Sequence, residues 1–527
     1  MNYDIVINNG LVVFGNKNKA EFLSLGIVDD KIVEISKEKL TGKKIINAKG
    51  KIVSPGFIDP HCHSDLSIFF DYEMTSKIYQ GVTTEINGNC GIGITPIITG
   101  HEKELEKYVV DHFIMPENFK LEDYKTLNSL KEVINFKKAV TNQGYLVGMG
   151  CIRIGAKGFG IGEATKLDFE KMNKILRKEF AEGALGVSFG LIYQPGNFML
   201  RNEIIEIMKV VAENNKIASF HMRDEGKNII EAIKEVIECA EKSKCKTNIS
   251  HLKIMNKDNW GKSKEILQLL KNARDKGLKI TYDQYPYTAT STTLMVLFPQ
   301  EIFNGNIEEF INNISKITSE DKKKILANIN SRGGARNIVI SNSFLPNNKY
   351  SGKTLEEIMQ ETRLNEVETI LLLVKETQGR AKAIYFSMCE EDVDNFIKCP
   401  YSVIGSDGTS IPMENINLKF GKPHPRNFGS FPKFIKLNRE KQIFSIENMI
   451  NKITKRTADI YCIKDRGEIK IGNYADITIF DYASVEDGAT FEDPFKKPIG
   501  IEYVIVNGKV IIENNNYIGI KAGKFID

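Results

Sequence analysis

Eight cysteines are few for a chain of 527 residues, and no two of them form a Cys-x-x-Cys pair. Cysteines at irregular spacing in so long a chain are typical of reduced thiols rather than of a disulfide framework. The sequence has no run of 18 apolar residues, and its first ten residues lack the basic and then apolar pattern of a secretory signal. We therefore predict a cytoplasmic protein that is soluble and has no membrane partner.

The sequence also lacks an excess of charge of one sign. Its 72 basic and 68 acidic residues leave a formal net charge of only +4. No cluster of Lys and Arg alternates with aromatic residues, as a nucleic-acid surface would require. We therefore predict that nucleic acid is not a partner, while the oligomeric state stays open.

Short β-rich segments that turn at Asn-Gly occupy both ends of the chain, for example 3–15 and 501–512. Neither end has enough apolar residues to fold alone. The simplest arrangement pairs them, so we predict one small β-sandwich domain built from residues 1–55 and 465–527.

Between the two ends, strand-like segments alternate with segments of helical periodicity, which predicts an α/β fold with a parallel sheet. Eight candidate strands can be counted, at 56–63, 81–88, 144–150, 184–190, 216–223, 247–253, 279–287 and 401–408. Eight such units close a (β/α)8 TIM barrel, here residues 56–464. More than 100 residues separate the last two strands, so we predict an inserted subdomain at about 297–380.

Potential metal ligands lie at the ends of five of these strands. They are His61, His63, Cys90, His221, His251 and Asp407. An isolated His-x-His is more often a surface or hydrogen-bonded pair than a metal site, but imidazole, thiolate and carboxylate at five strand ends are hard to explain by core packing. This ligand set suits zinc in a catalytic site. In contrast, His101 and His112 have no such placement, and we expect both at the surface.

Several longer motifs resemble the D-aminoacylase group, the N-acyl-D-amino-acid deacylases, within the amidohydrolase superfamily. They run through most of the chain: SPGFIDPHCHSD around the histidine pair, GVTTEINGNCGIG (81–93), GALGVSFGLIYQPG (183–196), ISHLK (249–253), YPYTATST (285–292) and HPRNFGSFPK (424–433). The resemblance implies zinc-dependent hydrolysis of an N-acyl-D-amino acid to a carboxylate and a free D-amino acid.

The resemblance also implies how the ligands divide between two metal sites. A tightly held zinc would bind Cys90, His221 and His251, and the other three predicted ligands would outline a second, more weakly filled site. Many binuclear relatives bridge their metals with a carboxylated Lys at the end of strand four, but VSFGLIYQPG contains no Lys. Cys90 would take that bridging role.

Roles in the reaction follow from metal-hydrolase chemistry and from the resemblance. Asp407 is our candidate general base and Tyr285 the candidate donor to the oxyanion. The cations Lys253 and Arg426 are candidates for binding the substrate α-carboxylate, although either could be a solvated charge. The resemblance suggests an apolar side-chain pocket, which would favour a hydrophobic D-amino acid; its residues are Tyr385, Met388, Ile192 and Leu297.

Two other functions remain open at this point. One is a cyclic amidase of the hydantoinase or dihydroorotase kind, or a D-peptidase of the same superfamily. The other is a relative without activity that serves as a scaffold. The missing Lys at strand four disfavours the first, and the complete set of ligand types disfavours the second.

Overall fold

A computed structural model describes residues 2–160, 162–299, 302, 307–414 and 418–527. These residues form strands β1 (Tyr3–Val12), β2 (Glu21–Val28), β3 (Lys31–Ser36), β4 (Gly42–Asn47), β5 (Ile52–Pro55), β6 (Phe57–Asp59), β7 (Val82–Asn87), β8 (Asn142–Gly148), β9 (Gly186–Gly190), β10 (Ile217–His221), β11 (Lys246–Ile249), β12 (Ile280–Gln284), β13 (Thr290–Thr293), β14 (Ile338–Asn342), β15 (Lys382–Tyr385), β16 (Ser402–Ile404), β17 (Ile477–Phe480), β18 (Ile501–Val506), β19 (Lys509–Glu513) and β20 (Asn516–Tyr517).

The same residues form helices α1 (Glu102–His112), α2 (Leu127–Lys137), α3 (Met149–Lys157), α4 (Lys166–Ala181), α5 (Arg201–Glu213), α6 (Ile229–Ser243), α7 (Ser263–Asp275), α8 (Ile307–Asn312), α9 (Ser319–Ser331), α10 (Leu355–Thr362), α11 (Glu366–Glu376), α12 (Glu390–Lys398), α13 (Arg426–Lys441), α14 (Ile446–Ile453) and α15 (Lys455–Ile460). Within the described ranges, no helix combines the length and the apolar character that crossing a membrane requires.

The eight strands β6 to β12 and β16 form one parallel sheet in the order β16-β12-β11-β10-β9-β8-β7-β6. Each overlaps one of the eight strands expected from the sequence, so the predicted barrel is confirmed. Helix α6 shows why such segments become its outer layer: Ile229, Ile233, Val236 and Ala240 repeat at helical spacing and are buried.

The barrel closes between β6 and β16 through the residues that follow these two strands. The Asp407 amide donates to the His61 carbonyl at 2.9 Å, and the His63 amide donates to the Gly408 carbonyl at 3.0 Å. Beneath them a buried ion pair joins Lys77 Nζ to Asp59 Oδ2 at 2.7 Å. Closure therefore fixes the backbone of three predicted metal ligands.

Hydrogen bonds join nine strands from the two ends of the chain into one sheet, in the order β20-β19-β18-β17-β5-β1-β2-β3, with β4 also paired to β1. Ile32 of β3 and Val510 of β19 come from opposite parts of this order but share one apolar cluster. The sheet therefore curls around a common core, and this curled sheet stands where the sequence predicts a β-sandwich.

A second small sheet lies between β12 and β16. Strand β15 pairs antiparallel with both β13 and β14, and an apolar cluster that includes Ile325, Leu355 and Ile370 unites it with α9, α10 and α11. Strand β13 precedes the predicted insert of 297–380 and β15 follows it, so the subdomain is wider than predicted on both sides, because two strands of only four residues give little local signal. Residues 300, 301 and 303–306 of that prediction lie outside the described part of the chain.

The segment after β20 returns to the amino end of the barrel. The Gln143 amide donates to the Lys524 carbonyl and the Ile526 amide donates to the Gln143 carbonyl, both at 2.9 Å. Ile526 shares an apolar cluster with residues of several barrel strands, among them Ile58, Ile86 and Ile217. The segment therefore seals the end of the barrel opposite the predicted site.

Candidate metal centre and active site

Three of the predicted ligands have a left-handed backbone, which L-residues rarely adopt. The φ angles are +56° at Cys90, +35° at His251 and +51° at Asp407. Each conformation costs on the order of 1–3 kcal/mol and persists only where surrounding structure imposes it. Here it turns the chain sharply at a strand end, so that the side chain points into the barrel mouth.

The six predicted ligands come together at the carboxyl end of the barrel. Cys90 Sγ lies 3.2 Å from His61 Nε2 and 3.3 Å from His251 Nε2. His251 Nε2 lies 3.0 Å from His221 Nδ1. On the other side, Asp407 Oδ1 lies 3.1 Å from His63 Nε2 and 3.5 Å from His61 Nε2. The thiol is thus between the two histidine groups.

These contacts fit a bound metal ion better than a hydrogen-bonded core. The ligand atoms of His61, Cys90, His251 and Asp407 all lie within 4.8 Å of one another, and all four residues are buried. Nitrogen, sulfur and carboxylate oxygen are the donors that zinc prefers. The described residues therefore contain a metal-binding group of the predicted composition.

Electrostatics keep the two acidic members of the group ionised. Burial raises the pKa of the Cys90 thiol, but the charges of His61 and His251 lower it by more. The pKa of the thiol therefore lies well below the ordinary value. Burial likewise raises the pKa of Asp407, while Arg426 and His251 lower it more, again to well below the ordinary value. A thiolate and a carboxylate are the forms that bind metal.

Two carboxylates that the sequence did not single out hold the histidines in place. Asp283 Oδ1 lies 3.0 Å from His61 Nδ1 and accepts from the His251 amide at 2.8 Å. Glu225 Oε1 lies 3.1 Å from His251 Nδ1. Such partners orient a ligating imidazole and strengthen its bond to the metal. The one available signal was position: Glu225 follows His221 by four residues, in the loop after β10.

The metal-binding group opens into a cavity of about 1140 Å³ whose wall includes residues of the barrel and of the β13–β15 sheet. Lys253 and Arg426 both line it. Each already contacts a carboxylate: Lys253 Nζ lies 2.6 Å from Glu225 Oε1, and Arg426 Nη1 lies 2.8 Å from Asp407 Oδ2. Both are therefore built into the site rather than solvated.

Tyr285 is fully buried beside this group, with the Arg426 guanidinium 5.1 Å from the centre of its ring. Burial raises the pKa of its hydroxyl, while Lys253 and Arg426 oppose that rise. The hydroxyl therefore keeps its proton at neutral pH and is a donor. The hydroxyl donates to Met388 Sδ at 3.9 Å.

The four predicted pocket residues divide into two pairs. Ile192 and Tyr385 line the cavity. Leu297 packs in the apolar cluster of the insert, and Met388 packs in a second cluster that contains Tyr285. Leu297 and Met388 thus stand behind the wall rather than on it.

His112 lies on the cavity wall, whereas the sequence placed it at the surface. It ends α1, and Lys382 of β15 donates to its carbonyl at 2.9 Å. Its Nδ1 lies 2.7 Å from the Tyr108 carbonyl, which fixes the proton on that nitrogen. Burial lowers the pKa of His112 to about 4, so the imidazole is neutral. The prediction failed because the insert covers this helix end, which no local pattern shows.

Comparison with known proteins agrees with this architecture. Residues 44–298 and 407–512 match the family model described as the amidohydrolase family. A D-aminoacylase of Alcaligenes xylosoxydans xylosoxydans is 29% identical over 99% of this chain and 97% of its own. An N-acyl-D-aspartate deacylase of the same organism is 28% identical over 96% and 92%.

A solved structure extends the likeness to three dimensions. It is the crystal structure of an N-acyl-D-glutamate deacylase from Bordetella bronchiseptica, complexed with zinc and a phosphonate inhibitor that mimics the tetrahedral intermediate. The TM-score is 0.82 at 26% identity, and all of both chains are covered.

Proposed function

The chain belongs to the amidohydrolase family, and on that premise we propose that it hydrolyses the amide bond of N-acyl-D-amino acids with the help of zinc. The products are a carboxylate and a free D-amino acid. The observation that carries the proposal is the convergence of Cys90, four imidazoles and Asp407 at the mouth of one cavity. Relatives named as D-aminoacylase and N-acyl-D-aspartate deacylase support the substrate class.

In this proposal the ligands serve two neighbouring positions. Cys90, His221 and His251 would hold a tightly bound zinc, and His61, His63 and Asp407 would outline a second position. A bound zinc ion would supply Lewis acidity and would lower the pKa of a water molecule toward about 7. Glu225 and Asp283 keep the imidazoles in the orientation that this binding needs.

Asp407 moves the proton. Its carboxylate is ionised at neutral pH, so it accepts the proton of the attacking water and then delivers it to the departing amine nitrogen. The Arg426 contact to Oδ2 leaves Oδ1 turned toward His61 and His63. Tyr285 donates its hydroxyl proton toward the carbonyl oxygen as that oxygen gains negative charge.

Lys253 and Arg426 bind the α-carboxylate of the substrate. An ammonium has three donors and a guanidinium has five, so each can keep its present carboxylate partner and still donate to a second one. For the amino-acid side chain we retain the apolar preference, with Ile192 and Tyr385 on the wall and Leu297 and Met388 supporting it.

The test measures release of free amino acid from paired N-acetyl-D- and N-acetyl-L-amino acids by zinc-loaded protein. We expect release from the D form only, and a loss of about 10²- to 10⁴-fold in kcat for Asp407→Asn, the size typical of a general base. Zinc analysis of Asp407→Asn should still find the tightly bound ion. Asp275→Asn, at an exposed carboxylate paired with Lys271, is the control.

The substrate proposal is wrong if zinc-loaded protein releases nothing from any pair yet opens a cyclic amide or cleaves a D-peptide. The apolar preference is wrong if N-acetyl-D-glutamate is hydrolysed faster than both N-acetyl-D-methionine and N-acetyl-D-phenylalanine. A protein that contains no zinc after expression in zinc-supplemented medium would instead favour a scaffold.

A further inference from the structure

Three buried cationic side chains line the cavity: Lys253, Arg426 and Arg332. The first two contact carboxylates, as described above. Arg332 differs, since in the described ranges of the chain no carboxylate oxygen lies within 4 Å of its guanidinium. It follows the last residue of α9 and so belongs to the insert rather than to the barrel.

The surroundings of Arg332 hold its side chain in place but do not neutralise it. Its Nη1 donates to the Asn328 carbonyl at 3.2 Å, and its guanidinium lies 5.5 Å from the centre of the Tyr385 ring. Only 8% of the residue is exposed. A charge taken out of water and left without a counter-ion is unfavourable, so this position favours a ligand that brings an anion.

The nearest acids are already engaged by other donors. Asp224 and Glu225 are the carboxylates whose charge reaches Arg332. Asp224 Oδ1 accepts from the Gly226 amide at 2.7 Å and from the Asn228 amide at 3.1 Å. Glu225 is bound by Lys253 and lies against His251. Turning Asp224 toward the guanidinium would break its contacts to two backbone amides, and turning Glu225 would break its contacts to Lys253 and His251.

The geometry points to a second anion-binding position in this cavity: we propose that Arg332 binds a carboxylate of the substrate other than the α-carboxylate. The inference rests on the proposed function and deepens it, because it makes the preferred substrate a dicarboxylate. It also means that the predicted pocket is not wholly apolar, because the Arg332 guanidinium lies over the ring of Tyr385, one of the residues assigned to the apolar wall.

The second carboxylate can belong to either of two parts of the substrate. It is either the side chain of an acidic D-amino acid or the far end of a dicarboxylic acyl group. In the second case the amino-acid side chain stays apolar, as proposed above. Sequence identity does not decide between these cases. It is 29% to the D-aminoacylase and 28% to the N-acyl-D-aspartate deacylase, so it favours neither a general nor an acidic amino-acid side chain.

The experiment compares three substrates: N-acetyl-D-methionine with one carboxylate, N-acetyl-D-glutamate with the second on the side chain, and N-succinyl-D-methionine with the second on the acyl group. Wild-type zinc-loaded enzyme should give a higher kcat/KM for one of the two dicarboxylates than for N-acetyl-D-methionine. Which of them it is identifies the source.

Arg332→Gln should then lower that preference by about 30-fold or more, mainly through KM, since losing one partner of a buried charge pair has at least this effect. Arg332→Lys keeps the charge and should retain part of the preference. Arg336→Gln, four residues further on, is the control because Arg336 is exposed and paired with Glu356.

The outcomes separate the two proposals. Hydrolysis of N-acetyl-D-methionine at least as fast as both dicarboxylates overturns the role of Arg332 while leaving the deacylase function intact, and it needs no variant. An unchanged preference in folded Arg332→Gln also overturns it. If none of the three substrates is hydrolysed, the deacylase function itself is wrong.

Discussion

At the scale of single residues, the site depends on residues that the fold holds in an unfavourable backbone conformation. Cys90, His251 and Asp407 have positive φ angles, and all three are buried beside other ligands. A protein tolerates such strain where the surrounding contacts over-determine it. The strain therefore belongs to the metal-binding group and not to a flexible loop.

A prediction at this scale concerns the thiol between the two histidine groups. Cys90→Ala removes the donor that contacts both His61 and His251. We expect the zinc content of the purified protein to fall below about one-tenth of wild type, because losing even an outer-shell partner of a ligand costs about 10- to 100-fold in metal affinity. Elemental analysis after dialysis against a weak chelator measures it.

The matched control is Cys62→Ala. Cys62 is also buried, but its nearest polar contacts are Lys77 Nζ at 3.6 Å and the Asp59 carbonyl at 3.8 Å. Equal zinc loss in both variants would mean that Cys90 matters only through packing.

The sequence predicted the ligands but not the residues that orient them. His61, His251 and Asp407 were found because strand ends in a parallel barrel share one edge, which is a property of local pattern. Asp283 and Glu225 act by contacting an imidazole from another strand, and Arg332 by reaching the cavity from the insert. Those contacts exist only once the chain is folded.

At the scale of elements, α4 contains a buried acid that makes no ion pair within the described part of the chain. Glu179 is 1% exposed, and its Oε2 has no partner among the described residues. Burial, and then the charge of Glu182, raise the pKa of Glu179 from 4.5 to about 8. The helix therefore packs best when this side chain is protonated.

This shift predicts how stability depends on pH. In the unfolded chain Glu179 ionises near 4.5 but in the fold only near 8, so its contribution is fully present below pH 4.5 and is lost as the pH rises to about 8. Glu179→Gln stays neutral, and we expect it to raise the free energy of unfolding by on the order of 4 kcal/mol at pH 8.

Urea denaturation at pH 5 and pH 8 measures this effect, which should be several-fold smaller at the lower pH. Glu170→Gln on the exposed side of the same helix should change little at either pH. An equal gain for Glu179→Gln at both pH values would contradict the assigned pKa.

At the scale of the whole molecule, the metal-binding group joins parts of the chain that are far apart in sequence. Its residues come from the carboxyl end of β10 and from the segments that follow β6, β7, β11 and β16. The barrel itself was predictable because eight strand segments alternate with helical ones. The pairing of the two chain ends was predicted as well, but the width of the insert was not, because β13 and β15 are only four residues long.

A ligand that binds only the folded chain stabilises it by mass action. Zinc at about 100 to 1,000 times its Kd should therefore add about 2.7 to 4.1 kcal/mol to the free energy of unfolding, and its removal should lower the Tm. Calorimetry of zinc-loaded and chelated protein measures the difference, with Cys90→Ala as the control that should show little. No change in Tm on chelation of the wild type would contradict a shared metal site.

The pairing of both chain ends has a consequence for biosynthesis. Val53 pairs with Ile479, and roughly 400 residues must be translated between them, which takes on the order of 20 to 85 s at about 5–20 residues per second. Throughout that interval the first strands leave the ribosome with an unpaired edge, the kind of edge that invites aggregation. We expect the nascent chain to depend on a chaperone that shields this edge until the last strands emerge.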